Sequence, residues 1–286
     1  MKKKIIIFIV VLAVLIPSIW SAFAPGRLWT KSMLDAIGDN DLKKIEKLAK
    51  DNKYINTPGG VIFPLNLLPE WENETPLECA ISYGNYKAVK ILIDNGAVPV
   101  NDRVNAVGLV ANSGTYSDGM FDTIVLLLKN GAKPDGNPEN SNINSALLDI
   151  ALIDCRNGGN RQVLEEKVLE MYKFVEGYCK NKAPIHPVDK GSALSYACFM
   201  GNYKLAKYLL KEKRYHINLK DEGGRTPLFE LFMLDEEDQH LSREVVVPMV
   251  KLLMENGANK NIKDEEGKTP EDYAKHIGMG DLFQKK

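Results

Sequence analysis

The stretch Glu74-Thr-Pro-Leu-Glu-Cys-Ala-Ile-Ser-Tyr-Gly-Asn-Tyr-Lys-Ala-Val-Lys-Ile-Leu-Ile-Asp-Asn-Gly-Ala97 decides the fold. Thr75 has N-cap chemistry, and Pro76 follows at the first helical position, where its missing N–H costs nothing. Gly84 closes the short helix that starts there, in the positive-φ conformation glycine adopts without strain. Val89, Leu92 and Ile93 then share one stripe of a second helix, which stops at Asn95-Gly96. Neither helix is long enough to stand alone, so the pair must bury its apolar face against another such pair.

Outward from this stretch, its parts recur. The tail Lys90-Ile-Leu-Ile-Asp-Asn-Gly-Ala97 returns as Val125-Leu-Leu-Leu-Lys-Asn-Gly-Ala132 and Lys251-Leu-Leu-Met-Glu-Asn-Gly-Ala258. The head returns as Gly224-Arg-Thr-Pro-Leu228 and Gly267-Lys-Thr-Pro270, and the middle Gly84-Asn85-Tyr86 as Gly201-Asn202-Tyr203. Head, middle and tail recurring in order mark a repeat array. These residues resemble the ankyrin-repeat family, whose unit runs from a G-x-T-P-L-H-x-A-A head to an L-L-x-x-G-A tail. The resemblance runs from about Thr30 to the C-terminus and implies an all-α solenoid of six to seven helix–turn–helix units joined by short β-like turns.

The units are expected as follows. A degenerate cap spans Lys31 to Lys50, and Glu74 to Ala97 is the second unit. Asn101 to Ala132 lacks the Thr-Pro head, and Asn144 to Ala183 has an elongated second helix from Val163 to Cys179. Ser192 to Lys213, Thr226 to Ala258 and a partial Thr269 to Phe283 complete the array. Leu92, Leu127 and Leu252 are expected to be buried on second helices. Cys79 and Cys198 fall on core-facing positions, where a small buried hydrophobe is the better reading than a disulfide partner.

Residues 1–24 read differently. Lys2, Lys3 and Lys4 precede the apolar run Ile5 to Ile16, and Pro17 then leads to the small residues Ser21-Ala22-Phe23-Ala24. That order reads as a secretory signal peptide. Pro25 disfavours cleavage after Ala24, cleavage after Ser21 is an alternative, and an uncut 5–24 is just long enough to anchor the chain in a membrane. Either way the repeat domain, residues 25–286, is expected in the periplasm, free or held at the inner membrane, because the positive charges stay inside.

Beyond that segment 34 basic side chains face 38 acidic ones, which gives no broad basic surface and argues against nucleic acid as a partner. His186, His216, His240 and His276 are scattered, and no P-loop, G-x-S-x-G or metal-ligand spacing appears. No catalytic residue, cofactor or metal site is assigned. Departures from the repeat lie at 57–73, 154–161 and 234–247. The first carries Ile62, Phe63 and Trp71, which either dock a partner or fold back as a flap over the first repeat. The third carries the acids Asp235 to Asp238, read as a solvated loop.

The resemblance implies a monomeric protein that binds another protein with its turns and inner helices. Asp221 and Arg225 in one turn and Asp264 in another join Ile62, Phe63 and Trp71 as candidate partner-binding residues. Together with the export segment, family analogy implies an immunity or inhibitor protein that neutralises a secreted toxin or lipase. The alternatives are an accessory protein that protects or assembles an envelope enzyme, or a virulence factor that binds host proteins.

Overall fold

Thr75 begins the best-matched repeat with a reciprocal cap. Its hydroxyl accepts the Glu78 N–H at 3.2 Å, while the Glu78 carboxylate accepts the Thr75 N–H at 2.6 Å. Thr269 and Asp272 build the same box. Such boxes satisfy two of the backbone donors that every helix start leaves without an intrahelical acceptor. Thr226 occupies the same place, but its buried hydroxyl makes no capping bond. Where the Thr-Pro head is missing, Asn105 replaces it: its Oδ1 accepts the N–H groups of Val107 and Gly108, and its amide donates to the carbonyls of Pro134 and Asn144.

The computed structural model describes residues 25–58, 74–99, 104–112, 116–135, 144–156, 160–233 and 241–284. They fall into two compact units, 1–99 and 100–286. In the first, α1 (Pro25–Gly38) pairs with α2 (Leu42–Ala49), and α3 (Pro76–Ser82) with α4 (Tyr86–Asp94). In the second, α5 (Ala106–Ala111) pairs with α6 (Met120–Lys129), and α7 (Ala146–Ala151) with α8 (Arg161–Glu176). There α9 (Ala193–Phe199) pairs with α10 (Tyr203–Lys211), and α11 (Pro227–Glu230) with α12 (Arg243–Glu255). A partial pair closes the array: α13 (Pro270–His276) and a 3-10 turn, Gly280–Phe283. The described residues are thus all-α, with six helix pairs and a partial seventh.

First helices stack on first helices and second on second: α1 on α3 and α2 on α4 in one unit, α5, α7, α9, α11 and α13 in series in the other. In that second unit α8 packs on α10 and α10 on α12. The buried side chains follow this plan, with Val89, Leu92, Leu127, Leu147, Leu194, Leu205, Leu209 and Leu253 fully covered. Cys79 and Cys198 are buried and unpaired, as are Cys155 and Cys179. Burial, reinforced by Glu74, pushes the Cys79 thiol up to about 12, which keeps it protonated and unreactive at neutral pH.

The turns between the helices of a pair are set by backbone conformation. Gly84 and Gly201 take φ of 62° and 68°, and a Cβ on Gly201 would press on Leu241 and Val245. In the first repeat Asn40, at φ 54°, takes this role in place of glycine. Asp41, Asn85 and Asn202 then cap the second helices through the N–H groups of Lys44, Ala88 and Leu205. At the far end, Asn95, Asn130 and Asn256 each donate a side-chain amide to the carbonyl four residues back.

Successive repeats are also stapled by single polar side chains. Asn56 donates to the Gly96 carbonyl and accepts the Val98 N–H at 2.8 Å. Asn218 does the same with Gly257 and Asn259. Asp135 accepts the N–H groups of Lys180 and Asn181. The elongated α8 is tied to α10 through buried Glu176, which accepts from the Tyr208 hydroxyl at 2.6 Å and Arg214 Nε at 2.9 Å.

Four expectations change. The capping repeat starts at Pro25 rather than Lys31, and it buries Trp29, Thr30, Met33 and Leu34. Residues 243–247 belong to α12, which shortens the third insertion, and α8 takes in Arg161 at the end of the second. Leu252 is only half-buried, whereas Leu253 is fully buried. The tail geometry gives the reason: the N–H groups of Ala97, Ala132 and Ala258 reach back to the carbonyls of Leu92, Leu127 and Leu253, so these three leucines are equivalent. Residues 1–24, the aromatic part of 57–73, Gly158-Gly159 and the acids 235–238 lie outside the described residues. Among those described, no helix is long and apolar enough to cross a membrane.

Replacing Leu92, Leu127 or Leu253 with Ala is expected to cost about 2–5 kcal/mol, and Leu252→Ala distinctly less. Chemical denaturation of the four variants checks the register, and an equal loss at Leu252 and Leu253 contradicts it.

Candidate protein-binding surface

Two loops of the second unit share one construction, and a third lies beside them. The Asp221 N–H donates to the Arg225 carbonyl at 2.8 Å, and the Arg225 N–H returns to the Asp221 carboxylate at 2.8 Å. Asp264 and Lys268 exchange the same pair of bonds at 3.0 and 2.9 Å. In the loop before them the His186 N–H donates to the Gly191 carbonyl at 2.9 Å, and Asp189 accepts the Gly191 N–H at 2.7 Å. Each loop also bonds to the next, through Glu222 N–H on the Asp189 carbonyl and Glu265 N–H on the Gly223 carbonyl.

Behind these loops the first helices present one side chain each, four residues after the N-cap. In chain order these are Leu109, Asp149, Tyr196, Glu230 and Tyr273, all half-buried. The tyrosines serve the loops: Tyr196 donates its hydroxyl to Asp189 at 2.9 Å, and Tyr273 donates to Asp264 at 2.7 Å. Glu230 has no proton to give at that place when ionised, so Asp221 is held by Arg225 instead, at 3.0 Å. The Arg225 guanidinium also reaches the Met233 sulfur at 3.9 Å. Asp149 lies against Gly108, where a Cβ would collide with its carboxylate.

The two acids of this row are electrostatically strained. Burial alone pushes Asp149 up to about 7. Burial also pushes Glu230 up to about 7, with Arg225 pulling it down and Asp221 and Asp189 pushing it further up. No hydrogen bond reaches the Glu230 carboxylate among the described residues. Glu230 opens into a cavity of about 280 Å³ lined by Leu152, Tyr196, Phe199, Asp189, Arg225 and Met233. That volume lies at the lower edge of the range of small-molecule pockets. Among the described residues no group of three or more His, Cys, Asp or Glu side chains is placed to hold a metal ion.

This repeated loop, cap and row pattern agrees with the comparisons. The ankyrin repeat family profile matches residues 72–102 and, in a second match, 189–222. The chain carries ankyrin repeats. A putative ankyrin repeat protein of Escherichia coli K12, YahD, is 32% identical over 94 residues, 33% of this chain and 44% of that protein. The human transient receptor potential cation channel subfamily A member 1 is 24% identical over 233 residues, 78% of this chain. The match spans 17% of that channel's length. The ankyrin repeat domain of human ASB11 superposes with a TM-score of 0.57 at 17% identity, covering 84% of this chain and 90% of that one. That of Bcl-3, a member of the IkappaB family, gives 0.51 at 16%, covering 88% and 96%. Both likenesses concern the fold.

Set against the ankyrin pattern, the candidate residues separate. Asp221 and Asp264 build their loops, and Asp264 is buried with its carboxylate engaged by Lys268 and Tyr273. Arg225 lines the cavity over Glu230. Ile62, Phe63 and Trp71 lie outside the described residues. Sequence reasoning passed over Asp149, Tyr196, Phe199, Glu230 and Met233. The signal for three of them was available: Asp149, Tyr196 and Glu230 occupy the variable position of the T-P-L-H-x-A head.

The raised pKa of Glu230 has a sign that can be tested. A carboxyl whose folded pKa exceeds its unfolded value favours the fold below the unfolded pKa and loses that contribution as pH rises through the folded one. Stability should therefore fall as pH rises from about 4 to about 7 on account of Glu230. Glu230→Gln removes this loss, so at pH 8 it is expected to be about 1–3 kcal/mol more stable than the parent, the gap closing near pH 4. Urea unfolding of both proteins at the two pH values is the measurement, and a Gln variant less stable at pH 8 contradicts the assignment.

Proposed function

We propose that this chain is an exported binding protein of a bacterial envelope that neutralises a secreted toxin or lipase by occupying it. Ankyrin repeats indicate a protein-binding module, and that much follows from the fold. The observation that carries the more specific reading is the join between a charged, apolar start, Lys2 to Ala24, and a repeat array from Pro25 onward. An export segment delivers the array to the compartment where secreted toxins and lipases act on neighbouring cells. The likeness to a bacterial ankyrin protein supports the bacterial setting.

Ankyrin repeats serve as interaction modules, so binding rather than turnover is the role we assign. The array acts by covering surface. Loops held by Asp189, Asp221 and Asp264, together with the row on the first helices, offer a rigid face that needs little reordering on association.

Fusion of residues 1–30 to a reporter active only outside the cytosol is expected to give activity, and N-terminal sequencing then distinguishes a cleaved signal from an anchor. Cross-linking of the full chain in the envelope is expected to yield a hydrolase or toxin whose activity falls on binding. A silent, cytosolic reporter overturns the export reading. A cross-linked partner that is neither toxin nor enzyme overturns the neutralising role.

A further inference from the structure

In the first-helix row of the second unit, Glu230 combines a half-buried position, no hydrogen-bond donor among the described residues and an open cavity of about 280 Å³ above it. Tyr196 and Tyr273 bond to Asp189 and Asp264, whereas Asp149, likewise without a donor among the described residues, lies against Gly108 over a smaller cavity of about 130 Å³ lined by Asn105, Asn112 and Asn144. A carboxylate left without a donor loses the stabilisation that a partner would supply, and a neutral residue of the same shape avoids that loss. What would satisfy Glu230 is a cation brought in by a ligand.

The walls fit the stem of such a cation. Leu152, Phe199, Tyr196 and Met233 supply apolar and aromatic surface, while the acids are Glu230 and the rims of Asp189 and Asp221. Lysine and arginine bury their methylene stems along apolar surface while the charged head stays at the polar edge, here the acids of the rim. The same unit already places cations over rings: Arg156 lies 5.7 Å from the Phe199 centroid and Lys268 lies 5.5 Å from that of Tyr273. Against three carboxylates the cavity holds one resident cation, Arg225, whose guanidinium bonds Asp221 and acts on Glu230 only through space. A volume of about 280 Å³ has room for one such side chain.

We propose that the cavity over Glu230 receives a single lysine or arginine side chain from an extended segment of the partner protein. This rests on the protein-binding reading and adds the chemistry of the contact. Ionisation of Glu230 near neutral pH makes the contact pH-dependent, tighter above pH 7 and weaker below. The groups facing Glu230 modulate this. Tyr196 and Asp189 face it from α9 and its loop, Asp221 and Arg225 from its own loop. The neighbouring α13 side brings Lys268, Asp272, Tyr273 and His276 around Met233. Of these, Lys268 is paired with Glu266, and Asp272 with Thr269.

The test uses the full chain as bait for a phage-displayed library of random dodecapeptides at pH 8 and low salt. Selected peptides are synthesised and their binding measured by fluorescence anisotropy. The expected result is a basic residue in the selected peptides whose replacement by norleucine weakens binding at least tenfold. Glu230→Gln should weaken the same peptides about tenfold without lowering the melting temperature. Binding of the parent should fall several-fold from pH 8 to pH 5.5, and this dependence should shrink in the variant. Peptides that bind equally well with norleucine, or equally well to Glu230→Gln, overturn the proposal without touching the protein-binding reading. If the cross-linked envelope partner binds parent and variant alike, the pocket is likewise overturned and protein binding stands. A chain that binds neither peptide nor envelope protein overturns both.

Discussion

A helix of four to seven residues has no stability of its own in water, because nucleation fixes several residues for very few hydrogen bonds. The first helices α3, α5, α7, α9, α11 and α13 are all of that length. Everything else in the molecule follows from this constraint. Each such helix exists only while its apolar side rests on the next one, so cores such as Leu147, Leu194 and Leu228 are shared between repeats rather than owned by one. The caps and positive-φ turns do not create the helices. They remove alternatives by giving the exposed backbone groups at each end a partner in only one arrangement.

The same constraint explains why a strained acid persists at position 230. A residue four places after the N-cap points out of the stack, so its identity is nearly free as far as packing is concerned. Tyrosine there reinforces a loop, as at 196 and 273, whereas glutamate there weakens the fold above neutral pH. Local choices that work against stability concentrate at functional positions, since stability alone would have replaced them. In the proposed contact, Glu230 is therefore the residue at which folding and recognition ask for opposite things.

Much of the architecture was legible in the sequence because its signals are local. Thr75, Gly84, Asn85 and the Asn-Gly-Ala tails act within five residues of themselves, and each was found where its chemistry placed it. The one-residue slip between Leu252 and Leu253 arose because helical periodicity marks a stripe, and two adjacent leucines both border it. The start at Pro25 was missed because the capping repeat has no Thr-Pro head to mark it. The cavity was illegible for a different reason. Its walls come from Leu152, Phe199 and Met233, which sit on three repeats and meet only through stacking. Thr226 shows the converse: the motif is intact, yet the hydroxyl makes no capping bond.

The staples at Asn56, Asp135 and Asn218 have a mechanical side. Each ties its loop to the following repeat and reaches no further, and among the described residues every side-chain hydrogen bond between repeats joins neighbours. A chain pulled from its ends would therefore not rupture as a block. Within the second unit, force on the C-terminus meets Asn218 first and Asp135 only after a whole repeat has come away. Each release would lengthen the chain by one repeat's worth of extended backbone, roughly 100–150 Å at about 3.3–3.6 Å per residue. Such a molecule yields in small, separately reversible steps, and a large pull on one end can be absorbed without exposing the core at the other.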